Sequence, residues 1–314
     1  MDRKEIDQLA KTISRYYMQR LPELGFGSFH FPHRLYWWTR DEKYLKLLSK
    51  KEARKFYGVP RNKKEIKIFY DHQDSDAHQR KMYMKYRGEA WKKYSDLMHM
   101  TNGLFAGLYA ETLYGVDIRE NIANAFSERK LLLMKQRLLQ DKKSIAMLST
   151  HAANFLYLVE RYYQKNEKGY PLGNFQRYNP YYEGDDIQLE YLKIYLLTHC
   201  IIGETQFYSR KIPKDKLLYY RRMVFHAERM IRKQIYNMPL DVKLEFLVCS
   251  KLCGIKSKLE PLILSEALKS TTADGGYIVD SVNACNKRRL NDFIQSEHRN
   301  VLFLLVVTKS PMYG

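Results

Sequence analysis

Several things are scarce in this chain, and each scarcity narrows what it can be. Cysteine is rare: of 314 residues only four are Cys. They are Cys200, Cys249, Cys253 and Cys285, all in the C-terminal half, two of them inside apolar helix-like runs, as free buried cysteine is in reducing compartments. Cys249 and Cys253 share a helix face, but no second Cys or His pair stands at zinc-site spacing. Long apolar runs are missing too. No stretch of 18 uncharged apolar residues occurs, which argues against a membrane-spanning helix. The opening MDRKEIDQLAKTISRYY is charged throughout and lacks the apolar centre of a signal peptide. Together these absences predict a soluble cytoplasmic protein. There is no GxxxxGK[ST] or GxGxxG phosphate loop, no GxSxG nucleophile elbow, and no zinc-finger or helix-turn-helix signature.

Acid is also in deficit. Thirty-five Asp and Glu stand against 54 Lys and Arg, leaving a formal charge of +19. Such a balance favours anionic partners: nucleic acid, anionic lipid, acidic glycan, a diphosphate or an acidic peptide. A lysine-rich genome bias produces part of such an excess with no function attached.

What the chain has in plenty is aromatic and helical. Aromatics make up 14%, and 26 residues are Tyr, whose apolar body and polar tip suit half-buried helix faces and ligand clefts. Apolar residues at helical spacing predict helices over residues 3–21, 41–57, 89–113, 118–138, 142–164, 187–208, 215–236, 241–253, 259–269 and 289–308. Runs that are apolar all round, as at 187–208, alternate with one-faced runs such as 215–236. Thr101-Asn102, Thr150-His151, Thr198-His199, Cys249 and His298 recur at steps of 49, 48, 50 and 49 residues. That interval predicts stacked helical hairpins of about 49 residues, closed into an α/α toroid or left as a curved solenoid. The fold expectation is therefore all-α. An aromatic, basic region at 1–88 is expected to cap a repeat domain at 89–314. Two polar interruptions, 166–186 and 271–286, are expected to fold over one mouth of a cavity.

Five side chains are the acid–base candidates. His151, His199 and His298 occupy the recurring register, where neutral imidazole can serve as general base or anion donor. Glu204 lies in an almost wholly apolar helix and must be paired or protonated, with Arg210 and Arg221 as structural partners. Tyr208 follows as a proton donor. The segment DHQDSDAH gathers Asp71, Asp74, Asp76 and His78 densely enough to hold a divalent cation, although its polar flanks equally describe a solvated turn. No cofactor is specified. Basic and aromatic residues interleave at 28–57 and 219–233, as phosphate contacts and stacking surfaces do in nucleic-acid binders.

Four segments carry a resemblance: YLLTHCIIGETQFYSRKI at 195–212, VKLEFLVCSKLCG at 242–254, ADGGYIV at 273–279 and SEHRNVLFLLVV at 296–307. In motif and spacing they resemble a group of bacterial all-α proteins akin to α/α-toroid terpene cyclases and prenyltransferase subunits. The likeness covers roughly residues 140–310. It implies inner helices around a cavity. It implies no particular chemistry, because DxDD, DDxxD and the Asp-Cys-His zinc set are all missing here.

Two functions fit. One is a cavity-forming toroid-like enzyme doing acid–base cyclisation or elimination on an anionic or hydrophobic small-molecule or peptide ligand. The other is a non-catalytic basic helical-repeat scaffold that binds nucleic acid or an acidic protein.

Overall fold

Helices make up most of the described backbone. The computed structural model describes residues 3–24, 27–48, 77–114, 119–163, 170–280 and 292–313. Among them there is no strand, only an isolated antiparallel bridge between Thr271 and Ile278. The chain divides into two compact units. One joins Met1–Leu48 to Phe207–Gly314 and is called the terminal unit; the other, Ser49–Gln206, is the inserted unit. The grouping does not follow a cut at 88/89, because the first helices supply core to the C-terminal segment.

The terminal unit begins with α1 (Arg3–Gln19), whose Ile6, Leu9, Ile13 and Tyr17 are buried on one face. A 3-10 turn, Leu21–Leu24, leads to α2 (Gly27–Thr39) and α3 (Glu42–Leu48). The aromatic stretch around Pro32 is thus helical, although proline removes one backbone donor. Phe31, Leu35 and Trp38 of α2 are buried, and Trp38 donates its indole N–H to the Thr308 carbonyl at 3.1 Å. After residue 207 come α11 (Leu217–Lys233), α12 (Leu240–Leu252), α13 (Glu260–Lys269) and α14 (Glu297–Val307). The central member is α14, buried along its length and packed by α1, α2 and α12. The end of α12 shows why a glycine stands there. Gly254 has φ +63°, and Ile255 N–H reaches back to Ser250 O at 2.8 Å, closing the helix in a left-handed turn that favours glycine.

The inserted unit runs α4 (Ala77–Lys93), α5 (Leu97–Tyr114), α6 (Arg119–Phe126), α7 (Glu128–Gln140), α8 (Lys142–Leu148), α9 (Thr150–Tyr163), a 3-10 helix (Phe175–Tyr182) and α10 (Ile187–Glu204). Here α9 is central, packed by α5, α7 and α10. Two helices expected as continuous are each broken by a serine at positive φ: Ser127 (φ 59°) parts α6 from α7, and Ser149 (φ 50°) parts α8 from α9. Ser149 repays its strain by donating Oγ to the Leu192 carbonyl at 2.6 Å, a bond that no local pattern foretells. The recurring residues fall at unequal places. Thr101 is inside α5, Thr150 opens α9, Thr198 is late in α10, Cys249 is late in α12 and His298 is second in α14.

The described part of the 166–186 interruption is no lid. Phe175, Tyr178 and Tyr182 are buried, and Tyr182 donates to Ala146 O at 2.9 Å. Three aromatic anchors explain why a segment with Pro and Gly is core rather than a mobile loop.

Candidate functional sites

Each unit contains a polar cluster, and the terminal unit displays a charged surface besides. In the inserted unit His151 is the second residue of α9, and its ring packs edge-to-face with the Trp91 ring, centroids 4.9 Å apart. Burial, reinforced by the nearby charges of Arg87 and His199, depresses its pKa to about 3, so it is neutral at ordinary pH. Arg87 is itself buried and donates Nε to Met147 O at 3.0 Å. One helix away, His199 Nδ1 lies 2.8 Å from Asn154 Oδ1. An amide oxygen accepts, so Nδ1 is the donor in this bond. Glu204 is buried in the last turn of α10, and the Cys200 thiol one turn earlier is pushed up by burial. The structure therefore brings His151 and His199 into one electrostatic neighbourhood.

His298 and Tyr208 belong to the terminal unit. Tyr208 is buried at φ 74°, edge-on to Trp38 at 6.3 Å, in a run of three left-handed residues from Gln206 to Tyr208. His298 sits between charges of opposite sign. Arg34 Nη1 on α2 lies 2.8 Å from His298 Nδ1, and Glu245 Oε2 on α12 lies 3.6 Å from Nε2. A guanidinium only donates, so the ring proton belongs on Nε2, facing the carboxylate. Glu297, the neighbouring residue, is 7% exposed. Its Oε1 has no hydrogen-bond partner among the described residues. Burial raises its pKa against the pull of Arg34 and His298, and Asp241 adds to the rise. His30 and His33 on α2 are driven well down by burial, His30 also by Arg34.

Next along α14, Arg299 is buried with Nε 3.0 Å from Asp241 Oδ1. Asn300 accepts from Ile278 N–H at 2.8 Å and donates to Ile278 O at 2.9 Å, standing in for a neighbouring strand. These two residues fix the ADGGYIV turn against α14. Arg34, Glu245 and Glu297 were not among the sequence candidates. The signal that singles out Glu204, a carboxylate in an apolar helix, also exists at Glu245 within VKLEFLVC.

The acidic segment contributes nothing visible to a metal site. Asp71, Asp74 and Asp76 lie outside the described residues, and of His78 only its place in the first turn of α4 is described. Among the described residues no group of three or more His, Cys, Asp or Glu is arranged to hold a metal ion. Cys200, Cys249 and Cys253 are free and buried, and burial raises the Cys253 thiol to about 12, an inert setting. Among the described residues no helix is long and apolar enough to cross a membrane.

The surface feature is on α11. Tyr220, Met223, Val224, Ala227 and Ile231 face the core. The opposite stripe reads Leu218, Arg222, Phe225, Arg229, Arg232, at steps of four, three, four and three, and Tyr236 follows four residues later in the turn beyond the helix. Leu218, Phe225 and Tyr236 are 62%, 53% and 80% exposed, among the largest exposures of apolar or aromatic side chains in the described chain. Residues 210–233 carry nine Lys or Arg (Arg210, Lys211, Lys214, Lys216, Arg221, Arg222, Arg229, Arg232, Lys233) against Asp215 and Glu228, a balance of 9 − 2 = +7. Glu228 is taken up by Arg232 at 2.9 Å, and no carboxylate among the described residues pairs with Arg222 or Arg229. No protein-family profile, curated protein or solved structure matches the chain.

Proposed function

We propose that this chain is a non-catalytic basic helical scaffold that binds nucleic acid, with the outward stripe of α11 as a contact. The observation that carries this is the interleaving of arginines with exposed rings on one helix face, where Arg222 and Arg229 have no carboxylate partner among the described residues and Arg232 is paired only with Glu228 of the same helix. Arginine neutralises phosphate and releases condensed counterions, whatever the base sequence. Phe225 and Tyr236 offer faces on which unpaired bases stack, which suits a single strand better than a duplex. The overall +19 supplies long-range attraction for the same partner.

The test is fluorescence anisotropy of a labelled single-stranded RNA across a salt series. The triple variant Arg222→Ala/Arg229→Ala/Arg232→Ala should bind more weakly and lower the salt slope by about 2, at ~0.7 per phosphate neutralised on a single strand. Phe225→Ala should cost ~1–3 kcal/mol with the slope unchanged. An unaltered slope in a folded triple variant removes α11 from the proposal. Polyglutamate competing as well as RNA would instead identify an acidic protein as the partner.

A second reading rests on the Arg34–His298–Glu245 array with Glu297 beside it. It is a toroid-like enzyme in which hairpins of about 49 residues, as a ring or curved solenoid, surround a ligand and acid–base groups drive cyclisation or elimination. A buried carboxyl whose pKa burial raises, next to an oriented imidazole, is the pairing such chemistry uses. Native mass spectrometry of gently purified protein separates the two. A retained small anion or lipid supports the enzyme, whereas nucleic acid stripped by salt from an otherwise empty protein supports the scaffold.

A further inference from the structure

The inserted unit has an open cleft of about 540 Å³, walled by Lys93, Tyr94, Arg137, Lys142, Lys143 and Tyr181. Its volume falls within the range of small-molecule sites, roughly 300–1,000 Å³. Four cations line it, from the end of α4, the last turn of α7 and the start of α8.

One carboxylate is present, and it is occupied. Asp141 caps α8, accepting from Ser144 N–H at 3.0 Å and from Ser144 Oγ at 2.9 Å. It also accepts from the Tyr94 hydroxyl at 3.2 Å and forms an ion pair with Lys93. Burial works against its charge, but those bonds from Lys93 and Ser144 hold its pKa at about 2. Asp141 thus cancels Lys93 and leaves the others. Lys143 reaches Glu89 at 3.3 Å through two exposed side chains, a pairing worth little in water. No carboxylate among the described residues pairs with Arg137 or Lys142.

Arg137 also lies beside Tyr94. Its guanidinium carbon is 5.9 Å from the centroid of the buried Tyr94 ring, whose one hydroxyl proton is shared between Asp141 Oδ2 and the Arg137 backbone carbonyl, each 3.2 Å away. A planar guanidinium presents a fork of donors, and lysine adds a point charge. That combination recognises phosphate oxygens. Two uncancelled cations and a third weakly held one match a diphosphate better than a single carboxylate.

We infer that this cleft binds the diphosphate group of a small anion, Arg137 taking one phosphate in two bonds and Lys142 and Lys143 the other. The inference is independent of the nucleic-acid reading, since α11 lies in the other unit. The same phosphate chemistry could come from a free diphosphate or from a nucleic-acid backbone, and the experiment separates them.

The experiment is isothermal titration calorimetry of the full chain with inorganic pyrophosphate at low salt, beside sulfate and an unlabelled single-stranded oligonucleotide. Saturable one-to-one binding of pyrophosphate, tighter than sulfate, is expected. The double variant Arg137→Ala/Lys142→Ala should weaken it by about tenfold or more, each lost charged bond being of that order. The triple variant on α11 should bind pyrophosphate as the unaltered chain does. Far-UV circular dichroism checks folding, and Lys142→Glu alone, on an exposed side chain, repeats the test if the double variant misfolds. Three results would overturn the inference: no saturable binding, equal affinity for sulfate, or undiminished affinity in the folded variants. Saturation by the oligonucleotide but not by pyrophosphate would overturn it too, and assign the cleft to the strand.

Discussion

Two histidines that look alike in the sequence have different chemistry, because one ring nitrogen's surroundings decide it. His151 and His199 both follow a threonine in an apolar helix. Yet His151 is held neutral by burial against Trp91, while His199 is oriented by a direct bond to Asn154. The consequence for His151 is a stability that depends on pH. Its folded pKa of about 3 lies below the ordinary histidine value of 6.5. Below about 6.5 the unfolded chain therefore takes up a proton that the folded chain refuses. Stability should be full above that pH and fall as pH drops from about 6.5 towards 3, by up to a few kcal/mol. His151→Gln should lose some stability at pH 7.5 through the missing ring contact. Its melting temperature should then decline less between pH 7.5 and 5.0 than that of the unaltered chain. His30 and His33 add a slope of the same sign, so the difference between the two proteins isolates His151. Parallel curves would show that His151 is protonated freely in the fold.

At the scale of the element, one close helix contact is set by an absent side chain. Gly203 lies in α10, and a Cβ placed there would come 2.4 Å from Tyr157 Cγ on α9. The atoms in the way are the ring base, which cannot swing aside without moving α9. Gly203→Ala gains helix propensity of about 1 kcal/mol and should still be net destabilising, because overpacking costs ~1–3 kcal/mol or more. Chemical denaturation would measure it; a variant as stable as the parent would mean that α9 and α10 separate readily. The α11 stripe is also an element-scale property. Its inner face was legible as periodicity, and the same periodicity places Arg222, Phe225 and Arg229 together on the outer face. That those rings are left largely exposed among the described residues is a fact of packing, not of pattern.

For the molecule as a whole, the sequence is a discontinuous arrangement written linearly. Residues up to Leu48 complete a unit whose other half starts at Phe207. The pairing is visible atom by atom: Tyr17 stacks on Phe293 at 4.7 Å and donates to Phe293 O at 3.0 Å, and Arg3 reaches Val307 O at 3.2 Å. Charge is likewise read at this scale. The total of +19 is fixed by composition, but +7 of it lies between residues 210 and 233, and another concentration walls the cleft of the inserted unit. Only the second fact bears on where an anion binds, because screening confines each cation's influence to about 8–10 Å at physiological salt.

The sequence by itself determined the helical class, most helix positions to within a few residues, and the faces that are buried, since apolar spacing acts locally and needs no partner to be read. It also determined the excess of positive charge. Where helices break was not legible: Ser127 and Ser149 both take left-handed backbone, and at Ser149 a distant group, the Leu192 carbonyl, compensates it. Nor was the company that each titratable residue keeps. Arg34 lies 264 residues from His298, and Glu245 lies on a different helix from both; only the packing of α2, α12 and α14 brings them within 3.6 Å contacts. A constant interval in the sequence placed His151, His199 and His298 in one register, but tertiary structure distributes them between two units. The reason is physical: an interval along the chain counts residues, whereas proximity depends on which apolar faces cover one another.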